Sequence, residues 1–388
     1  MYPNLYYAFK DLFGVEWSGL KLVNSFGFFV ALAFIISAWV LALELKRKSK
    51  SGLLTYKEEK MLVGKPASIS ELLLNFVLGF IMGYKIIGAF IDRDALADTQ
   101  TYILSSQGNV PAGILIGLLF AGLKWYEKNK VKLNKPEERT IRIWPQDRVG
   151  DMVIYAAIFG FLGAKIFHNL ENLDEFAKDP WGSLISFSGL TFYGGLICAT
   201  VAIWNYCRKN NMNPIHVADA FAPAMMLAYG IGRIGCQVAG DGDWGIVSNK
   251  PKPFSWLPDW AWSYTYPHNV ISEGVPIPGC VGQYCHQLPA GVYPTPLYEI
   301  IAALLLFVLL WSLRKKVTIP GVLAGIYLIV NGIERFLVEL IRVNTKYNFG
   351  SFQPTQAELI AAFLVISGIV LIIVMRRRHN LKLRHKAG

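Results

Sequence analysis

Two short stretches gather most of the side chains able to do chemistry. The first reads Gly230-Ile-Gly-Arg233-Ile-Gly-Cys236-Gln-Val-Ala-Gly240-Asp241-Gly-Asp243-Trp244-Gly245. It sets a permanent planar cation among residues small enough for backbones to approach closely, and its Gly-rich end can form a backbone concavity for an anion. No Gly-Lys-Ser/Thr follows, which excludes a P-loop. The second reads Asn331-Gly-Ile-Glu334-Arg335-Phe-Leu-Val-Glu339-Leu-Ile-Arg342. Arg335 and Glu339, four apart, share a helix face, and Glu339 and Arg342, three apart, are also neighbours there. One carboxylate between two guanidiniums leaves a cation partly free, a set suited to holding a phosphate bidentately. Close helix packing for the glycines and a ladder of paired charges for the second stretch are the purely structural alternatives.

The elements that must position these groups are apolar runs of about 20 residues, the length needed to cross roughly 30 Å of hydrocarbon. Spans are expected at 24–44, 68–91, 111–123, 149–167, 188–206, 216–236, 295–313, 319–341 and 355–375. The chain is therefore expected to be an all-α polytopic membrane protein of about nine transmembrane helices. Ionisable residues inside a span are costly and need a reason. Here they share an address: Lys85, Lys165, His168, Tyr193, Arg233, Tyr298, Glu299, Glu334, Arg335, Glu339 and Arg342 all fall toward one leaflet. Snorkelling explains single cases and explains the whole set less well.

Composition agrees with this class. Of 388 residues, 53% are apolar and 17% charged, against about 25% charged in an average soluble domain. The net charge of +11 is unevenly placed. Of the 38 Lys and Arg, 26 lie in the alternate loops 45–67, 124–148, 207–215 and 314–318 and in the tail 376–388. Cytoplasmic loops carry such an excess, so the N-terminus is expected outside and the C-terminus in the cytoplasm. The basic total is thus a topology signal and gives no support to nucleic-acid binding. The first span is followed at once by Lys46-Arg47-Lys48, the reverse of a signal peptide's order, and reads as a retained helix.

No soluble domain of ordinary size is expected. The longest non-membrane stretch, 237–294, carries Trp244, Trp256, Trp260, Trp262, Tyr264 and Tyr266. Aromatic residues collect where membrane meets water, so this stretch is expected to cap the helices as an extracytoplasmic loop. A lid or docking surface for a membrane-anchored substrate is the functional alternative. Cys280 and Cys285 lie in this loop, where an oxidising compartment permits a bracing disulfide. Two Cys and His286 without a second pair make a weak metal signal. No cofactor motif is present. A faint echo links Gly83-Tyr84-Lys85-Ile86 with Gly163-Ala164-Lys165-Ile166, and Gly113 with Gly194. Helix-pair duplications occur in transporters, though small residues also serve generic helix packing.

At the two dense stretches the chain resembles the bacterial prolipoprotein diacylglyceryl transferases. Their signature Gly-Arg-x-Gly-Asn-Phe-x-Asn-x-Glu-x-x-Gly begins at Gly232-Arg233-Ile-Gly235 and ends at Gly245. Their Arg-Phe-x-x-Glu-x-x-Arg is intact from Arg335 to Arg342. Tyr293-Pro-Thr-Pro-Leu297-Tyr298-Glu299 is similar to His-Pro-x-Gln-Leu-Tyr-Glu, and Phe192-Tyr193-Gly194-Gly195-Leu196-Ile197 to Phe-His-Gly-Gly-Leu-Ile. The likeness covers about 24–45 and 150–378 in order. Residues 68–148 look like an insertion adding two helices to the family's seven. The departures are Cys236 and Ala239 for the two Asn, Asp241-Gly-Asp243 for Glu with one extra residue, Tyr193 for His, and Phe26 for Tyr.

The resemblance implies an enzyme of the bacterial cytoplasmic (inner) membrane with its site toward the outer leaflet. The reaction implied moves the diacylglyceryl group of phosphatidylglycerol to the lipobox Cys thiol of a preprolipoprotein and releases glycerol phosphate. The partners implied are phosphatidylglycerol, lipobox signal peptides and membrane lipid. Catalytic roles then fall to Arg233, Arg335, Glu339, Tyr193 and Asp241, and substrate contacts to Arg342, Lys165, Gly194, Gly195, Tyr298, Glu299 and Gly245. With Tyr193 in place of the His, the proton acceptor is open among Tyr193, Asp241, Glu299 and an ordered water. A lipid-binding paralogue without catalysis and a polytopic transporter are the alternatives.

Overall fold

The structure is a computed structural model that describes residues 1–91, 102, 105–185, 191–344, 347 and 353–387. Helix follows helix: α1 (Leu5–Phe13), α2 (Ser25–Lys50), α3 (Ile69–Ile91), α4 (Val110–Lys130), α5 (Val149–Glu171), α6 (Phe192–Lys209), α7 (Pro214–Ala239), α8 (Thr295–Leu313), α9 (Val322–Glu339) and α10 (Gln356–Ala387). Two short helical turns, Leu173–Lys178 and Pro180–Ile185, lie between α5 and α6. The first residues of the expected 188–206 span fall outside the described residues. Among those described, seven helices are long and apolar enough to cross a membrane: α2, α3, α4, α5, α7, α8 and α10. Helices α6 and α9 have 18 residues each, and α9 spends three of its positions on Glu334, Arg335 and Glu339. The protein is a polytopic all-α membrane protein. Helix α4 is longer than the expected 111–123, because Asn109 caps it by accepting from the Ala112 amide and Trp125-Tyr126 continue it.

Helix α7 lies at the centre. Buried residues make up 61% of its most apolar stretch, against 11–22% in the other six. It packs on α2 along most of its length and on α8 and α9 on the other side. Gly235 lets α2 come close: a Cβ there would lie 3.2 Å from the Phe26 backbone. At the end where α7 begins, buried Asp219 accepts from the Gly321 and Ala324 amides at 2.8 and 2.9 Å. It thereby satisfies amides at the start of α9 that have no intrahelical partner. Buried Glu44 pairs with Arg47 at 2.6 Å and Arg314 at 3.2 Å, joining α2 to the end of α8.

The remaining helices form hairpins. The echo of glycines marks two of them. A Cβ on Gly83 of α3 would lie 2.4 Å from the Ala112 carbonyl oxygen of α4, and one on Gly163 of α5 would lie 2.5 Å from the Gly194 carbonyl oxygen of α6. Both pairs therefore meet through backbone contact that only glycine permits. A feature that sequence periodicity did not announce connects the first pair to the rest. Strand β1 (Lys57–Val63) runs antiparallel to β2 (Glu137–Ile143), so the chain enters and leaves the α3–α4 pair along one two-stranded ribbon. The strands alternate too little to be read from pattern alone. The far end of the pair rests on the N-terminal segment, where Trp17 stacks on Phe90 and Leu22 packs against Ala89 and Tyr102.

The stretch 237–294 folds as a cap with a small core of its own: Trp244, Tyr266, Leu288 and Val292. The Met1 ammonium donates to the Pro267 carbonyl at 2.8 Å. Cys280 and Cys285 form the expected disulfide. Tyr298, in the first turns of α8, donates to the Ala261 carbonyl at 2.9 Å and ties the cap to the helices.

Candidate functional site

The site is assembled from the C-terminal end of α7, the first turns of α8, the last turns of α9 and the 240–246 loop. On α7, Tyr229, Arg233 and Cys236 fall at spacings of four and three and so share one face. The Arg233 guanidinium lies 5.2 Å from the centre of the Tyr229 ring. Helix α7 stops at Gly240, whose φ of +66° is a left-handed cap conformation suited to glycine. The chain then turns through Asp241-Gly-Asp243 and threads between the 292–295 and 341–342 backbones. The Gly245 amide donates to the Tyr293 carbonyl and the Ile246 amide to the Ile341 carbonyl, each at 2.9 Å. A Cβ on Gly245 would lie 2.6 Å from the Ile341 carbonyl oxygen, so the threading requires glycine.

This threading delivers Asp243 between Arg233 and Arg342, with an ion pair to each. Thr295 Oγ1 holds the Asp243 carbonyl at 2.6 Å. Glu299, fully buried, bridges the two principal arginines: Oε2 lies 3.1 Å from Arg233 and Oε1 lies 3.3 Å from Arg335. The Tyr229 hydroxyl donates to the same Glu299 Oε1 at 2.7 Å. Arg335 continues to Glu339 at 3.1 Å, and Asn344 donates to the other Glu339 oxygen at 2.6 Å. The outcome is a file of alternating charge: Arg342, Asp243, Arg233, Glu299, Arg335, Glu339. Three guanidiniums balance three carboxylates in a setting where an uncompensated charge costs several kcal/mol.

One expectation changes in detail. Arg342 was placed beside Glu339 by helical spacing, but α9 ends at Glu339 and the chain turns, so Arg342 swings to Asp243 instead. In the sequence Asp243 stands out only as part of the motif, and nothing there marks Tyr229, Thr295 or Asn344. Asp243 had a signal, since it stands near the signature's Glu; the others become visible only when the elements come together.

The other expected residues sit on different supports. Asp241 follows the α7 cap, beside Cys236, and accepts from the Asp243 amide at 3.4 Å. Burial pushes its carboxyl above the ordinary carboxylate range. Ligand atoms of Cys236, Asp241 and Asp243 lie within 4.8 Å of one another. A cation placed among them would face the Arg233 guanidinium, already paired with Asp243. Lys165, buried on α5, and Tyr193, Gly194 and Gly195 at the start of α6 belong to the glycine-packed hairpin. Gly194 and Gly195 face the carbonyls of Gly163 and Gly160, where a Cβ would lie 2.7 and 2.8 Å away, so their small size is used for helix contact.

The arrangement can do one thing directly: present two guanidiniums to a single anion, as the bridging Glu299 demonstrates. Comparison with known proteins identifies the family. Residues 109–374 match the family described as prolipoprotein diacylglyceryl transferase. The match begins inside the 68–148 segment and takes in every element of the site. The chain is 30% identical over 282 residues to the phosphatidylglycerol–prolipoprotein diacylglyceryl transferase of Staphylococcus haemolyticus (strain JCSC1435), covering 72% of this chain and 86% of that one. To the protein of the same name from Staphylococcus aureus (strain MRSA252) it is 31% identical over 245 residues, covering 63% and 79%. With the motifs, the charge file and these matches in agreement, the chain belongs to the prolipoprotein diacylglyceryl transferase family.

Proposed function

We propose that this enzyme transfers the diacylglyceryl group of phosphatidylglycerol to the lipobox cysteine thiol of preprolipoproteins. The thiol sulfur forms a bond to the glycerol carbon as that carbon's bond to the phosphate oxygen breaks, glycerol phosphate leaves, and the thiol proton passes to a base. A single observation carries the reading: Glu299 spans Arg233 and Arg335, so both cations lie within reach of one small anion. In the reaction the lipid phosphodiester takes that position. Preorganised guanidiniums then stabilise the charge that develops on the departing phosphate. Glu339 orients Arg335, and Arg342 holds Asp243 against Arg233. Tyr193, Asp241 and Glu299 are the candidate proton acceptors, while Lys165, Tyr298 and Gly245 line or shape the approach to the site.

The same reading places nine helices across the bacterial cytoplasmic membrane, with the N-terminus outside and the basic C-terminal tail in the cytoplasm. The charge file then lies toward the outer leaflet beneath the 237–294 cap, where lipid enters sideways and the preprolipoprotein from the outer face. The 68–148 segment is an inserted helix pair beside seven family-like helices. Purified protein incubated with phosphatidylglycerol and a lipobox peptide should yield a thioether-linked diacylglyceryl peptide by mass spectrometry, and a Cys→Ser peptide should yield none. Lipid binding without product, repeated over the working pH range, would replace the enzyme by a lipid-binding relative.

A further inference from the structure

The 249–262 loop of the cap takes no part in the charge file, and its frame is closed from within. The Ser248 amide donates to the Gly291 carbonyl at 2.9 Å, and Trp262 Nε1 donates across the loop to the Lys250 carbonyl at 2.8 Å. Lys252 Nζ reaches Asp259 at 2.7 Å and the Leu257 carbonyl at 3.2 Å. Pro251, Pro253 and Pro258 fix φ at three further positions. So tight a loop could have packed its rings inward. Instead Phe254, Trp256 and Trp260 are 55%, 75% and 53% exposed, and the first two stack with centres 5.5 Å apart. At about 150–250 Å² for each aromatic side chain they leave roughly 300–450 Å² of ring surface open, the size at which an apolar patch marks a contact.

The place where the loop is fixed says what those rings meet. Tyr298, in the first turns of α8, donates to the Ala261 carbonyl at 2.9 Å, and the Trp262 ring packs edge-on against Tyr293, just before α8 begins. The root of the loop is therefore level with the end of a helix long and apolar enough to cross a membrane. Ile301, Leu305 and Val308 follow Tyr298 at helical spacing, so all four share one face, and the three apolar ones are exposed. In a membrane-spanning chain that face meets lipid, and the Ala261 contact hangs the loop directly over it. We propose that Phe254, Trp256 and Trp260 anchor the cap in the interfacial layer of the leaflet at this end of α8. Rings with an apolar body and, for tryptophan, a polar N–H suit that layer. Exposed Lys250 stands at the start of the loop, where an ammonium can meet lipid phosphates. Continuity with the hydrocarbon-facing stripe of α8 favours lipid over a docked polypeptide. The anchor sets the height of a cap whose first residues carry Asp243 to Arg233 and Arg342. It needs only that α8 crosses a membrane and is independent of the reaction proposed above.

The test uses the purified full chain in nanodiscs of phosphatidylcholine and phosphatidylglycerol, with acyl chains either plain or brominated close to the headgroup. The fluorescence of Trp256 and Trp260 is the difference between the unaltered chain and the double variant Trp256→Phe, Trp260→Phe, which keeps an apolar ring at both positions. Brominated lipid should remove about half or more of that difference, as for indoles at headgroup level, while aqueous iodide removes little. Iodide quenching without a bromine effect overturns the anchor. Protection from iodide that appears only on adding a lipobox peptide also overturns it and assigns the rings to the peptide. A second measurement needs no variant: a phospholipid with a diazirine high on its acyl chain, irradiated with the unaltered chain, should label residues 249–262 as well as α8. Labelling of α8 without the loop overturns the proposal. Thioether formation in the same nanodiscs keeps the two readings apart, since product without loop labelling removes the anchor alone and loop labelling without product removes the transferase alone.

Discussion

Replacing Arg233 by lysine keeps the charge and removes the fork, and so asks whether the clamp works by geometry or by charge alone. Arg233 spends two different nitrogens on two partners: Nε on Glu299 at 3.1 Å and a terminal nitrogen on Asp243. A lysine ammonium is a single point on a flexible stem and can hold one of these directions well but not both. The variant therefore loses about one charge-assisted hydrogen bond, worth about 1.5–3 kcal/mol. At about 1.4 kcal/mol per factor of ten, kcat/KM should fall roughly 10- to 150-fold. Arg233→Ala also strands Glu299 and Asp243 without their shared cation and should cost more, about 3–5 kcal/mol of stability as well as activity. The assay is thioether formation from phosphatidylglycerol and a lipobox peptide, with thermal unfolding of each variant measured in the same detergent. Wild-type kcat/KM in Arg233→Lys would refute the fork, since a loosely held positive charge would then suffice.

Two further outcomes follow from the loop that carries Asp243. Gly245→Ala puts a methyl 2.6 Å from the Ile341 carbonyl oxygen; overpacking of this kind costs about 1–3 kcal/mol. It should lower the unfolding temperature and, by moving Arg342 away from Asp243, reduce turnover, both readable in one preparation. Asp241 is the titration test: burial raises its folded pKa above the unfolded value. Its contribution to stability is then full below the unfolded pKa and lost as pH rises through the folded pKa. Asp241→Asn should therefore raise the unfolding temperature at pH 8 relative to the unaltered chain and gain nothing at pH 4; a gain of equal size at both pH values would refute this account.

How much was readable beforehand depended on whether the physics was local. The helices were visible because a run such as Phe26 to Leu45 must be apolar over about 20 residues whatever it packs against. The pairing of Arg335 with Glu339 was visible because helical spacing alone brings them together. What failed to show depends on chain turns and distant contacts. Arg342 changes partner because its helix stops three residues earlier. The β1–β2 ribbon joins residues some 80 apart, with charged and apolar side chains mixed on both faces. Glu334 reads as one more rung of a ladder, whereas the described carboxylate partners of Arg233, Arg335 and Arg342 are Asp243, Glu299 and Glu339. Gly194 and Gly195 show a packing use that motif position does not announce: the hairpin uses them to let two backbones touch.

The ribbon has a consequence for engineering. Val63 and Glu137 are directly opposed across the two strands, about 5 Å apart by ordinary strand spacing, so a tight two-residue turn can close the gap between them. Everything from 64 to 136 is in that sense a detachable unit hung on a handle. Excising it leaves the path from α2 to α5 uninterrupted and, among the described residues, gives up the Phe90, Ala89 and Tyr102 contacts to the N-terminal segment.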